Sequence, residues 1–482
     1  MNHSTVDLAA IARQEMIDRG FEPDIPIAAQ RQAEGARQSA DGGITDLTAL
    51  LWSSIDNDES RDLDQIEWAE RTAGGIRVLV AIADVDSAIP KDTPVDAHAS
   101  TETTTVYAGI RTFPMLPERL STDRTSLNEG EERVAVTIEF TVAADGAIGS
   151  SRVYQARVRN RAQLTYGAVG PWLEGKAEIP AKVSRAVGLE AQLRLQNETA
   201  HLLRAARDRL GALTFDRAEL QAVVDDGKVR SVEGRRANTA SRLIEDFMIA
   251  ANEVMAQTLR AAGVASLRRI VRAPERWPRM VQLAESHGDT LPPQPDAAAL
   301  NALLVRRKKA DPDHFADVSL AVLKLMGPGE YVAAPAGGEA EGHFSLAAHD
   351  YTHSTAPNRR FADVVTQRLV KAVLHKAAAP YSDEELSAIA RNCTLKEDAA
   401  RKVQRDMTKR IAAVALAPRV GEKFAAIVTG VTPKGVFVRV SEPPVEGRLM
   451  RGGDDLDVGD RVQVALLSTD PRRGFIDFGR ER

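Results

Sequence analysis

The sequence predicts an α+β protein of several domains. A short helical segment over residues 1–43 leads into a mixed α/β body over 44–418, and a small β-barrel closes the chain over 419–482. Three observations carry this expectation. Residues 76–84, IRVLVAIAD, are a near-continuous apolar run of strand length, the pattern of a strand covered on both faces. Residues 186–210 and 239–262 are long helical stretches, the second closed by Gly263. After Val420 the pattern changes to short alternating runs broken by glycine, beginning GEKFAAIVTGVTPKGVFVRV.

Taken in order, residues 4–19 place Leu8, Ile11, Ala12 and Met16 at helical spacing and stop at Gly20. A second short helix over 26–38 starts at Pro26, and the pair reads as a helical hairpin with a helix-turn-helix character. The ADGG run at 40–43 marks a linker. RVAVTIEFTV at 133–142 alternates, and ADG at 144–146 turns it into a partner strand over 150–159. Residues 296–309 read as a helix capped by Asp296, and another helix begins after Pro357. A last long helix opens at Ser382 with Glu385 three residues on, a capping box. Five short strands after Val420 suit an OB-type barrel.

A chain of 482 residues is long enough for two to four domains at about 100–200 residues each. Hydrophobic residues at 43% supply packed cores, and a net charge of −5 argues against a globally basic surface. Net charge says little, however, where one site gathers acid and another gathers base. Cys393 is the single cysteine, which excludes an intramolecular disulfide. MNHSTVDLAA lacks the basic start and apolar stretch of a signal peptide, and no apolar run reaches the ~18 residues of a membrane span. The expectation is a soluble, cytoplasmic protein with no membrane partner.

The chemistry concentrates in SSIDNDESRDLDQIEWAE, residues 53–70, where Asp56, Asp58, Glu59, Asp62, Asp64, Glu67 and Glu70 stand with Arg61 as the only base. Such crowding repels itself unless a cation sits among the carboxylates. Apolar Ile55, Leu63, Ile66 and Trp68 interleave with the acids, so a packed stretch is favoured over a solvated loop. Carboxylates at the edge of a core suit a hard cation such as magnesium, manganese or calcium. A calcium loop running from Asp56 to Glu67 fits the ligand spacing. It fails at its sixth position, where Arg61 replaces the required glycine, and the exiting helix would be too short.

An Ile-Asp, five residues, then Asp-x-Asp resembles the signature of the RNase II / RNase R family, the RNB-domain exoribonucleases. Further matches follow in order: VAIAD (80–84), TVYAG (105–109), FPMLPERLS (113–121), TFD (214–216), RLIEDFMIAAN (242–252) and TAPNRRFADVVTQRLVKAV (355–373). The C-terminal barrel resembles the ribosomal S-one type of RNA-binding module through its G-V-F-V strand and V-G-D turn. The resemblance implies an RNB catalytic domain over 44–418 and hydrolytic, magnesium-dependent 3′→5′ exoribonuclease activity, with manganese able to substitute. The implied substrate is single-stranded RNA with its 3′ end in the site, degraded to nucleoside 5′-monophosphates by a monomer. It also implies N-terminal cold-shock-type barrels, for which residues 1–43 are too short.

By the same resemblance Asp56 and Asp62 bind magnesium, Asp64 is the catalytic carboxylate, and Arg359 contacts the scissile phosphate. Gln65 stands where the family has a further metal-binding aspartate, and Gln404 where it has a glutamate. A glutamine carbonyl can ligate a hard ion but brings no charge. Both losses of acid give the alternative expectation, an RNA-binding member with weakened hydrolysis. Tyr107 and Phe215 fall at positions that clamp terminal bases, and Tyr166 and Glu245 at positions linked to ribose recognition. Arg360, beside Arg359, is a further RNA-binding candidate. Phe424, Phe437 and Phe478 are candidate stacking platforms in the barrel, with core packing as the competing reading. Arg268, Arg269, Arg272 and the RRKK at 306–309 are candidates for a basic channel, against a solvated helix face.

Overall fold

The computed structural model describes residues 6–39, 43–215, 219–225, 228–311, 315–338, 341–433 and 435–481. Helices α1 (Leu8–Asp18) and α2 (Ile27–Gly35) precede strands β1 (Thr45–Asp46), β2 (Trp52–Asp56), β3 (Gln65–Thr72) and β4 (Gly75–Ala83). Then come α3 (Pro94–Glu102), the small hairpin β5 (Val106–Tyr107) and β6 (Thr112–Phe113), and the long pair β7 (Glu132–Val142) and β8 (Ile148–Thr165). Helices α4 (Tyr166–Leu173), α5 (Ala181–Arg185) and α6 (Leu189–Leu210) follow, with hairpin β9 (Glu219–Asp225) and β10 (Lys228–Arg235), then α7 (Thr239–Ala261). Strand β11 (Ser266–Val271) pairs with β12 (Gly329–Ala334) across α8 (Trp277–Ser286), α9 (Ala297–Ala310) and α10 (Phe315–Leu325). Helices α11 (Phe361–Leu374) and α12 (Asp383–Leu416) lead to β13 (Lys423–Thr432), β14 (Gly435–Val440), β15 (Glu446–Arg451), β16 (Arg461–Asp470) and β17 (Phe475–Arg480).

The main sheet runs β1-β8-β2-β3-β4-β7, and β8 is long enough to return and pair with β7 as well. Its first part lies antiparallel to β7, with Val142 opposite Ile148 and Glu132 opposite Arg159. Its last part lies parallel to β2, with Asp56 opposite Thr165. The sheet therefore curls, and two parallel strand ends deliver Asp56 and Tyr166 to one edge. The apolar run predicted at 76–82 is the core of β4, where Val78 through Ala83 are fully buried. Helix α7 buries a broad apolar face that includes Leu243, Phe247, Val254 and Leu259 in the body of the protein. Asn238 caps it, and Gly170 of α4 lets the two helices touch there, because a Cβ at Gly170 would stand 2.3 Å from the Asn238 amide.

Helix α12 extends over 34 residues, about 50 Å at 1.5 Å per residue. Its N-terminal part joins the main core and its C-terminal part packs on the barrel, so one helix ties the two together. The capping box expected at Ser382 is present, Ser382 and Glu385 each bonding the other's backbone N–H. The five C-terminal strands close into a barrel, β13-β14-β15-β17-β16, as the alternating pattern predicts.

The N-terminal helices do not form the expected hairpin. Helix α1 docks on α12, where Arg19 pairs with Asp406 at 2.6 Å and Glu15 with Arg410 at 2.8 Å. Helix α2 packs instead on α3. Leu8, Ala12 and Met16 share a core with Val106 and Phe113 of the β5–β6 hairpin. Each helix covers an apolar face of the body, which separates the two. Residues 40–42 of the expected linker lie outside the described residues.

Candidate active site

The acidic stretch divides between β2, a loop and β3, and this division sets the environment of each carboxylate. The calcium-loop arrangement is not formed, since Gln65 to Thr72 is a strand and not a helix. Exposed Asp58 and Glu59 lie in the loop, while Asp64 is 2% exposed. The loop is pinned from below: the Leu63 N–H donates to Ser126 Oγ at 2.9 Å and the Ala83 N–H to the Asp64 carbonyl at 2.9 Å.

Asp56 accepts from the Asn57 N–H at 2.7 Å and from Ser60 Oγ at 2.9 Å. Burial nevertheless raises its pKa above the ordinary carboxylate value, with Asp62 adding repulsion and Arg359 opposing it. Asp62 accepts from the Tyr107 hydroxyl at 3.2 Å. Asp64 Oδ1 accepts from the Asn358 N–H at 2.9 Å, and Oδ2 lies 3.4 Å from Arg359 Nε. Burial pushes the Asp64 carboxyl up to about 8 against the pull of Arg359. These groups act on one another, so Asp56, Asp62, Asp64, Tyr107 and Arg359 converge on one place.

Arg359 comes from the loop before α11, and backbone bonds fasten that loop to the Tyr107 hairpin. The Thr105 N–H donates to the Arg359 carbonyl at 3.0 Å and the Phe361 N–H to the Thr103 carbonyl at 2.8 Å. From behind, Asn252 of α7 accepts from the Ser354 N–H and Oγ, both at 2.9 Å. Arg359 remains 45% exposed and free to meet a ligand. Arg360 does not share that freedom. Its guanidinium forms a two-point pair with Asp363, at 2.8 and 2.7 Å, with Asp363 in the first turn of α11. The structure makes Arg360 a strut of the loop and not an open contact.

A cavity of about 1200 Å³ opens beside these groups, joined to them through Tyr107, which lines it and donates to Asp62. It brings together Tyr107, Tyr166, Phe215 and Glu245, the four predicted RNA contacts apart from Arg360. Tyr166 follows β8 directly, its carbonyl accepts from Asn238 Nδ2 at 2.8 Å, and the Arg235 guanidinium lies 5.9 Å from its ring centre. Phe215 lines the cavity and also packs against the α8–α10 cluster. Asp216 of the TFD motif lies outside the described residues. Partial desolvation raises the pKa of Glu245, with neighbouring Asp246 adding to it. Asp246 itself pairs with Arg204 and Arg207.

Several expectations are corrected. Arg268 is buried and donates to the Ala256 carbonyl at 3.1 Å, and buried Arg269 pairs with Glu397 at 2.9 Å. Arg272 is held by Glu330 and Glu341, so these three do not line a channel. The RRKK run closes α9 at the surface, with Arg306 on Asp289. The cavity's cations among the described residues are Arg111, Arg204, Arg207, Arg235, Arg236 and Arg242. Phe424 and Phe478 meet edge-to-face inside the barrel core and are not stacking platforms. Phe437 is half-buried, and Phe475, which the sequence reading passed over, is 56% exposed. It also passed over Asn358, whose backbone holds Asp64.

The residues suit a hard cation in a particular way. Among the described residues no three acidic, His or Cys side chains form a ready-made metal cage. Magnesium seldom needs one, since it keeps water and is held by one or two carboxylates plus substrate phosphate. Asp56 and Asp62, both only partly buried, fit that role. Gln65 is buried at the start of β3 and offers a carbonyl without charge.

Fold and site together define a class: a curled mixed sheet with carboxylates at its edge, an aromatic and arginine-lined cavity, and an OB-type barrel on one long helix. The RNB domain matches residues 44–376, and the RNase II-type exonuclease C-terminal S1 domain matches 422–481. The chain belongs to the RNB-domain family. It is 27% identical over 507 residues to Ribonuclease R 1 of Lactococcus lactis, covering 98% of this chain and 60% of that protein. It thus spans less than two thirds of that relative's length. Mycoplasma genitalium RNase R in complex with ribose-methylated single-stranded RNA has the same fold, with a TM-score of 0.87 at 21% identity, covering 98% of this chain and 78% of that one. Yeast Ssd1, described as a pseudonuclease, also shares it, with a TM-score of 0.72 at 19% identity and coverage of 97% and 59%. The fold alone therefore does not decide hydrolysis.

Proposed function

We propose that the chain is a magnesium-dependent hydrolytic 3′→5′ exoribonuclease that takes single-stranded RNA and releases nucleoside 5′-monophosphates. One observation carries the reading: Asp56, Asp62, Asp64 and Arg359 converge beside a cavity lined by Tyr107, Tyr166, Phe215 and Glu245, with the Tyr107–Asp62 hydrogen bond joining the two. The family-level match to ribonucleases supports RNA as the substrate class. A single chain contributes every residue of the site, which suits a monomer. Among the described residues no helix is long and apolar enough to cross a membrane, which is compatible with a cytoplasmic enzyme.

In this reading the 3′-terminal nucleotides enter the cavity, where Tyr107 and Phe215 hold bases by stacking. Tyr166 and Glu245 face the ribose, whose 2′-hydroxyl both donates and accepts, and this favours RNA over DNA. Arg359 presents a planar fork to the scissile phosphate and stabilises charge developing on its oxygens. Asp64, fixed by the Asn358 N–H, orients the attacking water and accepts its proton. Asp56 and Asp62 would hold the divalent ion, which when bound neutralises phosphate charge and makes water a better nucleophile. The Tyr107 hydroxyl on Asp62 joins the base clamp to the ion site.

The test is end-labelled single-stranded RNA incubated with magnesium, calcium or chelator. The reading expects 5′-monophosphates with magnesium and none with chelator. RNA that is bound but uncut in every condition refutes hydrolysis and makes the chain a binding member of the family.

A further inference from the structure

Just past the FPMLPERLS motif, consecutive residues Thr125, Ser126 and Leu127 touch both halves of the site, and the mechanism above does not use them. All are buried. Towards the acidic loop, Ser126 Oγ accepts from the Leu63 N–H and lies 2.9 Å from the Arg61 carbonyl, and the Leu127 N–H donates to the Leu63 carbonyl at 3.0 Å. Towards the arginine loop, the Thr125 hydroxyl lies 2.6 Å from Asn358 Oδ1 and 2.9 Å from the Leu120 carbonyl. The Thr125 N–H already serves that carbonyl at 3.0 Å, so the hydroxyl proton is directed at the nearer Asn358. Asn358 is 1% exposed, and among the described residues its Nδ2 has no partner. Thr125 is thus the group that fixes the Asn358 side chain.

The Asn358 backbone N–H in turn donates to Asp64 Oδ1 at 2.9 Å, and Arg359 is the next residue, its Nε 3.4 Å from Asp64 Oδ2. We propose that Thr125 is a positioning residue: through the Asn358 side chain it sets the arginine loop against the Asp62–Asp64 loop, which Ser126 and Leu127 hold from the same segment. The inference rests on the hydrolytic reading above, in which Asp64 orients the water and Arg359 meets the phosphate. Leu120 and Leu127 seat the segment in the main core, and the Leu127 carbonyl accepts from Asn160 Nδ2 at 2.9 Å. The separation of Asp64 and Arg359 is therefore referred to the core and not left to two loops. Catalytic groups must keep their geometry to about 0.5 Å, and a displacement of about 1 Å costs on the order of 100-fold in rate. A contact that orients them without meeting substrate changes kcat and spares RNA binding.

The test measures kcat, KM and urea unfolding of the full chain, with single-stranded RNA in magnesium as substrate. Thr125→Val keeps the shape and removes the hydroxyl, so kcat should fall about 10- to 100-fold with KM within about two-fold of wild type. Thr125→Ser keeps the hydroxyl and should stay near the wild-type rate. Asn358→Leu breaks the same contact while the Thr125 hydroxyl keeps the Leu120 carbonyl, and its kcat should fall as far even where the valine variant fails to fold. The double variant Thr125→Val/Asn358→Leu replaces both polar partners by apolar groups. Its urea midpoint should return towards wild type while its kcat stays as low as in either single variant. Recovery of kcat together with stability means a structural role only and overturns the inference. Wild-type kcat in both Thr125→Val and Asn358→Leu also overturns it, as does a Thr125→Ser rate as low as the valine variant's. Asp64→Asn is measured alongside to separate the two failures. If it loses hydrolysis and the Thr125 and Asn358 variants keep it, only the positioning role fails. If Asp64→Asn keeps the wild-type rate, or wild type cuts no RNA, the hydrolytic reading is wrong and the positioning role falls with it.

Discussion

Replacing Asp64 with asparagine removes a charge that the fold holds at considerable cost. Asp64 is 2% exposed, and burial moves its carboxyl from 3.8 to about 8. A displacement of that size makes folding about 4 kcal/mol weaker at pH 7 than an unperturbed carboxyl would, as an order of magnitude. The amide keeps the bond from the Asn358 N–H, and the attraction of Arg359 for the charged form is already contained in that displacement. Asp64→Asn should therefore be more stable than wild type by up to about 4 kcal/mol at pH 7 without metal, as an order of magnitude. The sign of the pH dependence follows from the raised value in the folded state. The contribution is fully present below about pH 4 and is lost as pH rises towards 8. Urea unfolding in chelator at pH 5 and pH 8 reads both effects. Wild-type stability should fall between these points, and the variant's should fall much less. A variant that is less stable at pH 7, or that keeps the wild-type slope, refutes this account. Hydrolysis by the same variant should drop by orders of magnitude while RNA affinity stays close to wild type.

Other residues give independent expectations. Gln65→Asp should lower the magnesium concentration needed for half-maximal rate, because an added carboxylate attracts a divalent ion in a partly dry site. An unchanged requirement would put position 65 out of contact with the ion. Arg359→Lys should cost more than ~10-fold in kcat with folding unchanged, since an ammonium cannot reproduce the planar two-point contact. Full activity of Arg359→Lys would show that the scissile phosphate is held elsewhere. Ser382→Ala should lower stability by about 1 kcal/mol in urea unfolding, because the Glu385 N–H at the start of α12 loses its acceptor.

Much of this architecture was legible because local chemistry decided it. The Ser382–Glu385 box, the Asp296 cap and the apolar run of β4 each carry their signal within a few residues, and the structure keeps all three. The barrel was readable for the same reason. What escaped depends on partners distant in sequence. Arg268 and Arg269 look like exposed cations until β11 is seen buried, with Glu397 of α12 waiting for Arg269. Phe424 and Phe478 alternate as barrel residues must, but alternation does not say which face a given aromatic takes. Asn358 serves Asp64 through its backbone, so its side chain gave no hint. The N-terminal helices showed their apolar faces plainly, yet not that those faces belong to α12 and α3 and not to each other.

The most direct test of the central claim compares a linear single-stranded RNA with a covalently closed circle of the same sequence, in magnesium. The carboxylates and Arg359 meet beside the cavity wall at Tyr107, and the proposed exonuclease reading requires a free 3′ end to reach them. It predicts that the linear strand, labelled at its 5′ end, shortens progressively while the circle stays intact. Cleavage of the circle at a comparable rate, or a linear strand that binds and never shortens, would contradict it.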